Sequence, residues 1–153
     1  MSARVGIGYD AHRFAAGRRL VLGGVEIPHE VGLDGHSDAD VLTHAVIDAV
    51  LGASGLGDIG TLFPPDDERW RDAYSLDLLR MTLGNLYGRV VNVDATLICE
   101  EPRMGPHRAA MERTLAEALS APVIVKATTN EGMGWIGDRE GIACFAVALV
   151  ELD

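Results

Sequence analysis

Arg4-Val5-Gly6-Ile7-Gly8-Tyr9-Asp10-Ala11-His12 alternates between two faces: Val5, Ile7 and Tyr9 share one parity, and Gly6, Gly8, Asp10 and His12 share the other. In an extended strand, residues two apart point to the same side. Asp10 and His12 can therefore reach one ion together, and the two glycines keep that face uncrowded.

A third donor follows in His36-Ser37-Asp38-Ala39-Asp40-Val41-Leu42-Thr43-His44. Ser37, followed three residues later by Asp40, reads as a capping box opening a helix. Val41, Leu42, Ala45, Val46, Ala49 and Val50 then recur at helical spacing and define a buried stripe. His44 sits off that stripe, between Asp40 one turn before and Asp48 one turn after, where carboxylates can orient its ring. A lone helical histidine is ordinarily satisfied by a local hydrogen bond; the polar flank argues against a core role and leaves a surface role open. With Asp10 and His12, it makes a donor set suited to one open metal site.

Outward from these two segments the chain reads as strands over 3–10 and roughly 19–27, the second interrupted at Gly23-Gly24, then a helix over about 38–53. A Gly- and Pro-rich loop runs from Gly55 to Asp67. A helix over about 75–87 carries Leu76, Leu79, Leu83 and Leu86, and a strand runs from Val90 to Cys99. A helix over about 107–119, a strand over 123–129, a Gly-rich stretch from Glu131 to Gly141 and a strand over about 142–151 complete the order. Such interleaving predicts an α+β fold, one mixed β-sheet with helices layered on one face. Ile142 to Val150 is apolar on both parities, so the other sheet face needs cover, which oligomerisation could supply.

At 153 residues, with 48% hydrophobic and 24% charged residues, residues 1–153 fit one compact domain. A formal net charge of −10, with 13 Lys and Arg against 23 Asp and Glu, excludes a nucleic-acid partner and an anionic membrane surface. A phosphate substrate would then need local cations to offset repulsion. Cys99 and Cys144 lack C-x-x-C spacing and fall in apolar runs, as expected of reduced, buried thiols in a cytoplasmic protein. The N-terminus shows no secretory h-region, and the longest apolar run is too short to span a bilayer as a helix. A soluble, cytoplasmic protein is the expectation.

Three loops are richer in polar groups than turns require. His36-Ser37 precedes a helix N-terminus, where amides and the helix dipole favour an anion, unless Ser37 only caps. Leu56-Gly57-Asp58-Ile59-Gly60 can offer a carboxylate to a hydroxyl, and is also ordinary turn chemistry. Lys126-Ala127-Thr128-Thr129-Asn130-Glu131 ends a strand in donors suited to phosphate oxygens and a hard-oxygen ligand suited to Mg²⁺. It is equally a polar strand exit.

Taken in order, Gly8-Tyr9-Asp10-Ala11-His12, Gly35-His36-Ser37-Asp38-Ala39-Asp40, His44-Ala45, Gly55 to Gly60, Phe63-Pro64, Glu101 to Met104, Lys126 to Glu131 and Glu140 to Ala143 resemble the 2-C-methyl-D-erythritol 2,4-cyclodiphosphate synthase family across essentially the whole chain. The resemblance implies a homotrimer with active sites between subunits. It implies Zn²⁺ held by Asp10, His12 and His44, and Mg²⁺ or Mn²⁺ held by Glu131 and bridging a substrate diphosphate. The implied substrate is a small-molecule cytidine diphosphate, 4-diphosphocytidyl-2-C-methyl-D-erythritol 2-phosphate, cyclised with release of CMP. His36 and Thr129 match transition-state stabilisers. Asp58 and Gly60 would contact the methylerythritol part and Ser37 its phosphate side. Cys99, Glu100, Glu101, Pro102, Arg103, Met104 and Gly105, with Thr128 and Asn130, would hold the cytidine diphosphate. Ile59, Phe63, Asp67 and Trp135 complete the implied substrate-binding set.

The chain departs from the family pattern at Pro65-Asp66, at Arg103 in place of a lysine, and at Asp138, which stands where the family has an arginine for an isoprenoid diphosphate in the trimer's central cavity. Arg139 is displaced by one, which in a strand would turn it to the other face, so weak or no isoprenoid diphosphate binding is expected there. Two rivals stand beside this reading. Two histidines and a carboxylate also describe the facial triad of non-haem Fe(II) oxygenases, which expects a double-stranded β-barrel. A non-catalytic trimeric binding module would explain the apolar strand but not the donor set.

Overall fold

The computed structural model describes Met1 to Asp153. Its first strand, β1 (Ser2–Ala15), is longer than its alternation suggested and carries Asp10 and His12 within it. β2 (Leu20–Leu22) and β3 (Val25–Ile27) form a separate hairpin. Gly23 and Gly24 form its two-residue turn, with φ of 59° and 74°, the left-handed pair that lets such a turn follow strand twist. β4 (Gly32–Leu33), α1 (Val41–Ser54) and α2 (Ile59–Leu62) come next. Then follow α3 (Ser75–Gly84), β5 (Gly88–Ile98), α4 (Arg108–Leu119), β6 (Val123–Thr128), α5 (Gly134–Gly137) and β7 (Gly141–Leu152).

The sheet order is β4-β1-β7-β5-β6. β7 runs antiparallel to β1 and β5, whereas β5 and β6 are parallel, so the sheet is mixed as expected. α1 lies across β1 and β7. The contact is made by main chain: a Cβ built on Gly6 would stand 1.9 Å from Ala49 O, and one on Gly8 1.9 Å from Ala45 O. The glycines thus admit a helix rather than merely keep a face clear, and they set His44 beside Asp10.

Two features of α1 differ from expectation. Its N-cap is Asp40, not Ser37, because Ala39 takes a left-handed φ of 57° and the chain turns helical only at Val41. The Asp40 carboxylate accepts from Thr43 N and Thr43 Oγ1 and reaches across to Gly23 N and Gly24 N. That helix end is consequently filled by a protein carboxylate and is no anion site. The buried surface of α1 is also wider than one stripe, taking in Thr43, Ile47, Leu51 and Ala53, since sheet and α3 both cover it.

In β7, Ile142, Cys144, Ala146, Ala148 and Val150 are buried, while Phe145 and Val147 of the other parity are exposed. They pair with Tyr9 and Ile7 of β1. With Val5 at 69% and Ile7 at 65% exposure, the sheet face opposite the helices is a broad apolar surface. Asp138 and Arg139 lie outside any strand: Asp138 caps α5, and Arg139 sits in a turn at φ 60°. The expected face reversal of Arg139 therefore does not apply; its Nη2 lies 3.5 Å from Glu101 Oε1. No helix is long and apolar enough to cross a membrane.

Candidate active site

Asp10, His12 and His44 converge. His12 Nε2 is 3.0 Å and His44 Nδ1 3.1 Å from Asp10 Oδ2, and one ligand atom from each residue lies within 4.8 Å of the others. β1 supplies the first two from one face, and α1, lowered onto Gly8, supplies the third. The His12 ring is held by Nδ1 donating to Asp34 O at 2.9 Å. Its Nε2 is buried and makes no hydrogen bond, with Asp10 Oδ2 as its charged neighbour at 3.0 Å. An imidazole nitrogen left bare beside a carboxylate and a second imidazole fits a divalent cation of the zinc type.

Burial disfavours charge on Asp10, yet the two histidines overcome it and hold its carboxyl below the usual value. Burial likewise opposes protonation of His12, but Asp10 outweighs it and raises the ring above its ordinary 6.5. A proton and a metal thus compete for the same nitrogen.

His44 is oriented by neither of the carboxylates expected. Asp40 faces the Gly23-Gly24 turn, and Asp48 accepts from Ile59 N at 2.9 Å, tying α2 to α1. Instead His44 Nε2 lies 2.8 Å from Ser75 Oγ and 3.2 Å from Ser37 Oγ. Ser75 and Asp38 behind it went unnoticed in the sequence, as did Arg18, whose guanidinium donates to the carbonyls of Leu33, Gly35 and Ser37 and fixes that loop. No local pattern marks either contact; Ser75 opens a helix 31 residues from His44.

The triad opens into a cavity of about 200 Å³ walled also by His36, Ser37, Ile59, Gly60, Phe63, Pro65, Trp70 and Leu78. Pro65, one of the family departures, is thus a wall residue. His36 Nε2 donates to Asp67 O at 3.0 Å. The Asp67 carboxylate is spent on Arg69, and that of Asp58 caps α2 through Thr61, so both are committed to local structure.

A second pocket, of about 490 Å³, gathers Cys99, Glu100, Pro102, Arg103, Met104, Gly105, Thr128 and Thr129. Glu100 accepts from Asn130 N and Gly132 N and shapes the turn bearing Glu131, which is exposed. Burial, aided by the Glu100 charge, pushes the Cys99 thiol up to about 11, so it is a neutral wall and no nucleophile. Asn130 spends its amide on Met133 O. Glu101 faces Arg139, while Trp135 lies with Arg139 and His12 on a third concavity.

The two main pockets do not merge within one chain. Asp10 pairs with Cys144, Cys144 with Leu97, and Leu97 with Ala127. Three strand steps of about 4.8 Å each put roughly 14 Å between the metal-type donors and the Thr128 strand. Thr129 and Glu131 therefore stand apart from the triad and His36.

The sequence matches the YgbB family over residues 3–151. A 2-C-methyl-D-erythritol 2,4-cyclodiphosphate synthase of Symbiobacterium thermophilum is 55% identical over 152 residues, covering 95% of this chain and 97% of that protein. A solved 2C-methyl-D-erythritol-2,4-cyclodiphosphate synthase in its CDP-bound form superposes with a TM-score of 0.85 at 36% identity, over 97% of this chain and 100% of the other. The bifunctional IspDF of Campylobacter jejuni gives a TM-score of 0.93 at 37% identity over 99% of this chain; the match spans only 43% of that longer chain.

Proposed function

This chain belongs to the YgbB family of 2-C-methyl-D-erythritol 2,4-cyclodiphosphate synthases, and from that membership we propose that residues 1–153 act as one synthase domain, a phosphorus–oxygen lyase that cyclises 4-diphosphocytidyl-2-C-methyl-D-erythritol 2-phosphate and releases CMP. The observation that carries the reading is the convergence of Asp10, His12 and His44 in a cavity shared with His36 and Ser37.

The reaction needs no covalent nucleophile from the protein. An oxygen of the 2-phosphate attacks the β-phosphorus in line, the bond from that phosphorus to the bridging oxygen breaks, and the bridging oxygen leaves with CMP. Positioning and charge stabilisation carry the rate. A zinc-type ion on Asp10, His12 and His44 would supply Lewis acidity toward a diphosphate oxygen, and Mg²⁺ or Mn²⁺ at Glu131 would offset charge between the α- and β-phosphates. His36, fixed by its Nε2–H on Asp67 O, lines the cavity in which the transition-state charge would develop. Thr129 acts from the second pocket, where Arg103 and the Pro-framed 99–105 loop receive the cytidine diphosphate.

A homotrimer with the active site between subunits accounts for two otherwise unrelated facts: the apolar sheet face and the division of the site into two pockets. Packing through that face would bring the metal cavity of one copy to the nucleotide pocket of the next. Cys99 and Cys144, free and buried, are in keeping with a reducing cytoplasm. An open five-stranded sheet, in place of a double-stranded barrel, removes the Fe(II) oxygenase alternative.

Incubation with the diphosphocytidyl substrate, Zn²⁺ and Mg²⁺, followed by mass detection, should yield CMP and the 2,4-cyclodiphosphate. No CMP under these conditions overturns the reading. His44→Ala should abolish CMP release with assembly intact, which a non-catalytic binding module would not explain.

A further inference from the structure

We propose that Ser75 and Asp38 are positioning residues that dictate which nitrogen of His44 is offered to the metal centre. Ser75 is fully buried at the start of α3, and its hydroxyl donates to Asp38 Oδ1. The other oxygen of Asp38 accepts Ser75 N at 2.9 Å, and Oδ1 also takes Asp40 N at 3.2 Å. Asp38 is thus used wholly as an acceptor, the only role open to a carboxylate.

A serine hydroxyl has one proton. With that proton given to Asp38, Ser75 Oγ meets His44 Nε2, 2.8 Å away, as an acceptor. His44 Nε2 must then carry hydrogen, and when a metal displaces the proton shared with Asp10 Oδ2, 3.1 Å away, the lone pair offered is that of Nδ1. Ser37 Oγ, farther from Nε2 at 3.2 Å, already accepts Ala39 N and keeps its own proton for an oxygen bound in the cavity. The reverse tautomer would set an oxygen lone pair of Ser75 against a nitrogen lone pair and point an N–H into the metal site. His12 is fixed the opposite way round by a backbone carbonyl: Nδ1 donates to Asp34 O, which leaves Nε2 for the metal. On His44 the choice is made by side chains and can be altered.

The competing account is architectural: Asp38 caps α3 and Ser75 merely anchors it. Competitive zinc titration against a chromophoric chelator separates the two, using wild type, Ser75→Ala, Asp38→Asn and the double variant, with the unfolding of each metal-free protein followed in parallel. Removal of a partner that orients a ligand histidine costs about 10–100-fold in metal affinity. Each single variant should lose that much, and the double variant should match Ser75→Ala within about twofold, since Asp38 acts on the metal only through Ser75. Imidazole nitrogen-15 spectra of the zinc-loaded wild type should show hydrogen on Nε2 of His44. Affinities unchanged in folded variants, single losses that multiply in the double, or hydrogen on Nδ1 would overturn the assignment. It rests on the metal-site reading, and the two fail differently: wild type that binds no zinc overturns the site itself, whereas wild-type binding with unaltered variants overturns only the relay.

Discussion

Gly8→Ala asks how rigidly the helix is seated on the strand. The added Cβ would lie 1.9 Å from Ala45 O and 2.8 Å from Ala49 N, both main-chain atoms that no rotamer change can move. Restoring an ordinary contact of about 3.5 Å requires α1 to lift by roughly 1.5 Å. Overpacking a core ordinarily costs about 1–3 kcal/mol; with backbone as the obstacle, the upper end or beyond is expected. For a chain of this size about 3 kcal/mol corresponds to a fall in Tm of roughly 6–12 °C. Because Ala45 adjoins His44, the same lift should open the His44–Asp10 contact, now 3.1 Å, and weaken zinc binding. Gly84→Ala is the control: it lies in the last turn of α3 with nothing near its Cβ, and should be neutral or more stable by about 0.5–1 kcal/mol. Equilibrium urea unfolding of the metal-free proteins reads both. A Gly8→Ala protein within about 1 kcal/mol of wild type would refute the claim that main-chain contact seats α1.

Asp40→Ala removes the acceptor of Gly23 N, Gly24 N, Thr43 N and Thr43 Oγ1 together, and loss of a cap plus stranded buried donors should cost about 3 kcal/mol or more in urea unfolding. In the metal-free protein the Asp10 contribution is present above its ordinary 3.8 and is lost as pH falls through its lowered folded value, and that of His12 is complete below 6.5 and is lost as pH rises through its raised folded value. The stability gap between wild type and Asp10→Asn should therefore be widest between pH 3.8 and 6.5; a gap that widens from there toward pH 9 would contradict the ion pair. Val147→Lys sets a charge in the middle of the exposed sheet face and should shift the proposed trimer toward monomer in light scattering, leaving the fold intact by circular dichroism. An unchanged mass would overturn the proposed packing through this face.

The parts of the fold written in short-range pattern were legible without coordinates. The alternation of Val5, Ile7 and Tyr9 against Gly6, Gly8, Asp10 and His12 marked both a strand and its chemical face, and Gly23-Gly24 marked a break that proved to be a hairpin turn. The donor triad was visible because its residue types are restrictive. What stayed hidden depends on distant partners. Asp40 looked like the tail of a capping box but is the cap itself, since its four donors include two that lie 16 and 17 residues earlier. Ser75 is an ordinary helix-opening serine until α3 brings it to His44. The two pockets are separated by strand order, which periodicity does not encode, so the reading of one joined site came from family likeness and not from spacing.

The main-chain contact between β1 and α1 has a consequence for how the protein can vary. Where a helix rests on side chains, every change of volume beneath it moves whatever the helix carries. Here the spacing is a hard stop made of peptide atoms at Gly6, Gly8, Ala45 and Ala49, whose size no mutation elsewhere can change. A smaller residue at Leu79 of α3 would not let α1 sink toward β1, because the stop already limits that approach. The donor triad is thereby shielded from loss of volume in the core, and the vulnerability is concentrated in two glycines.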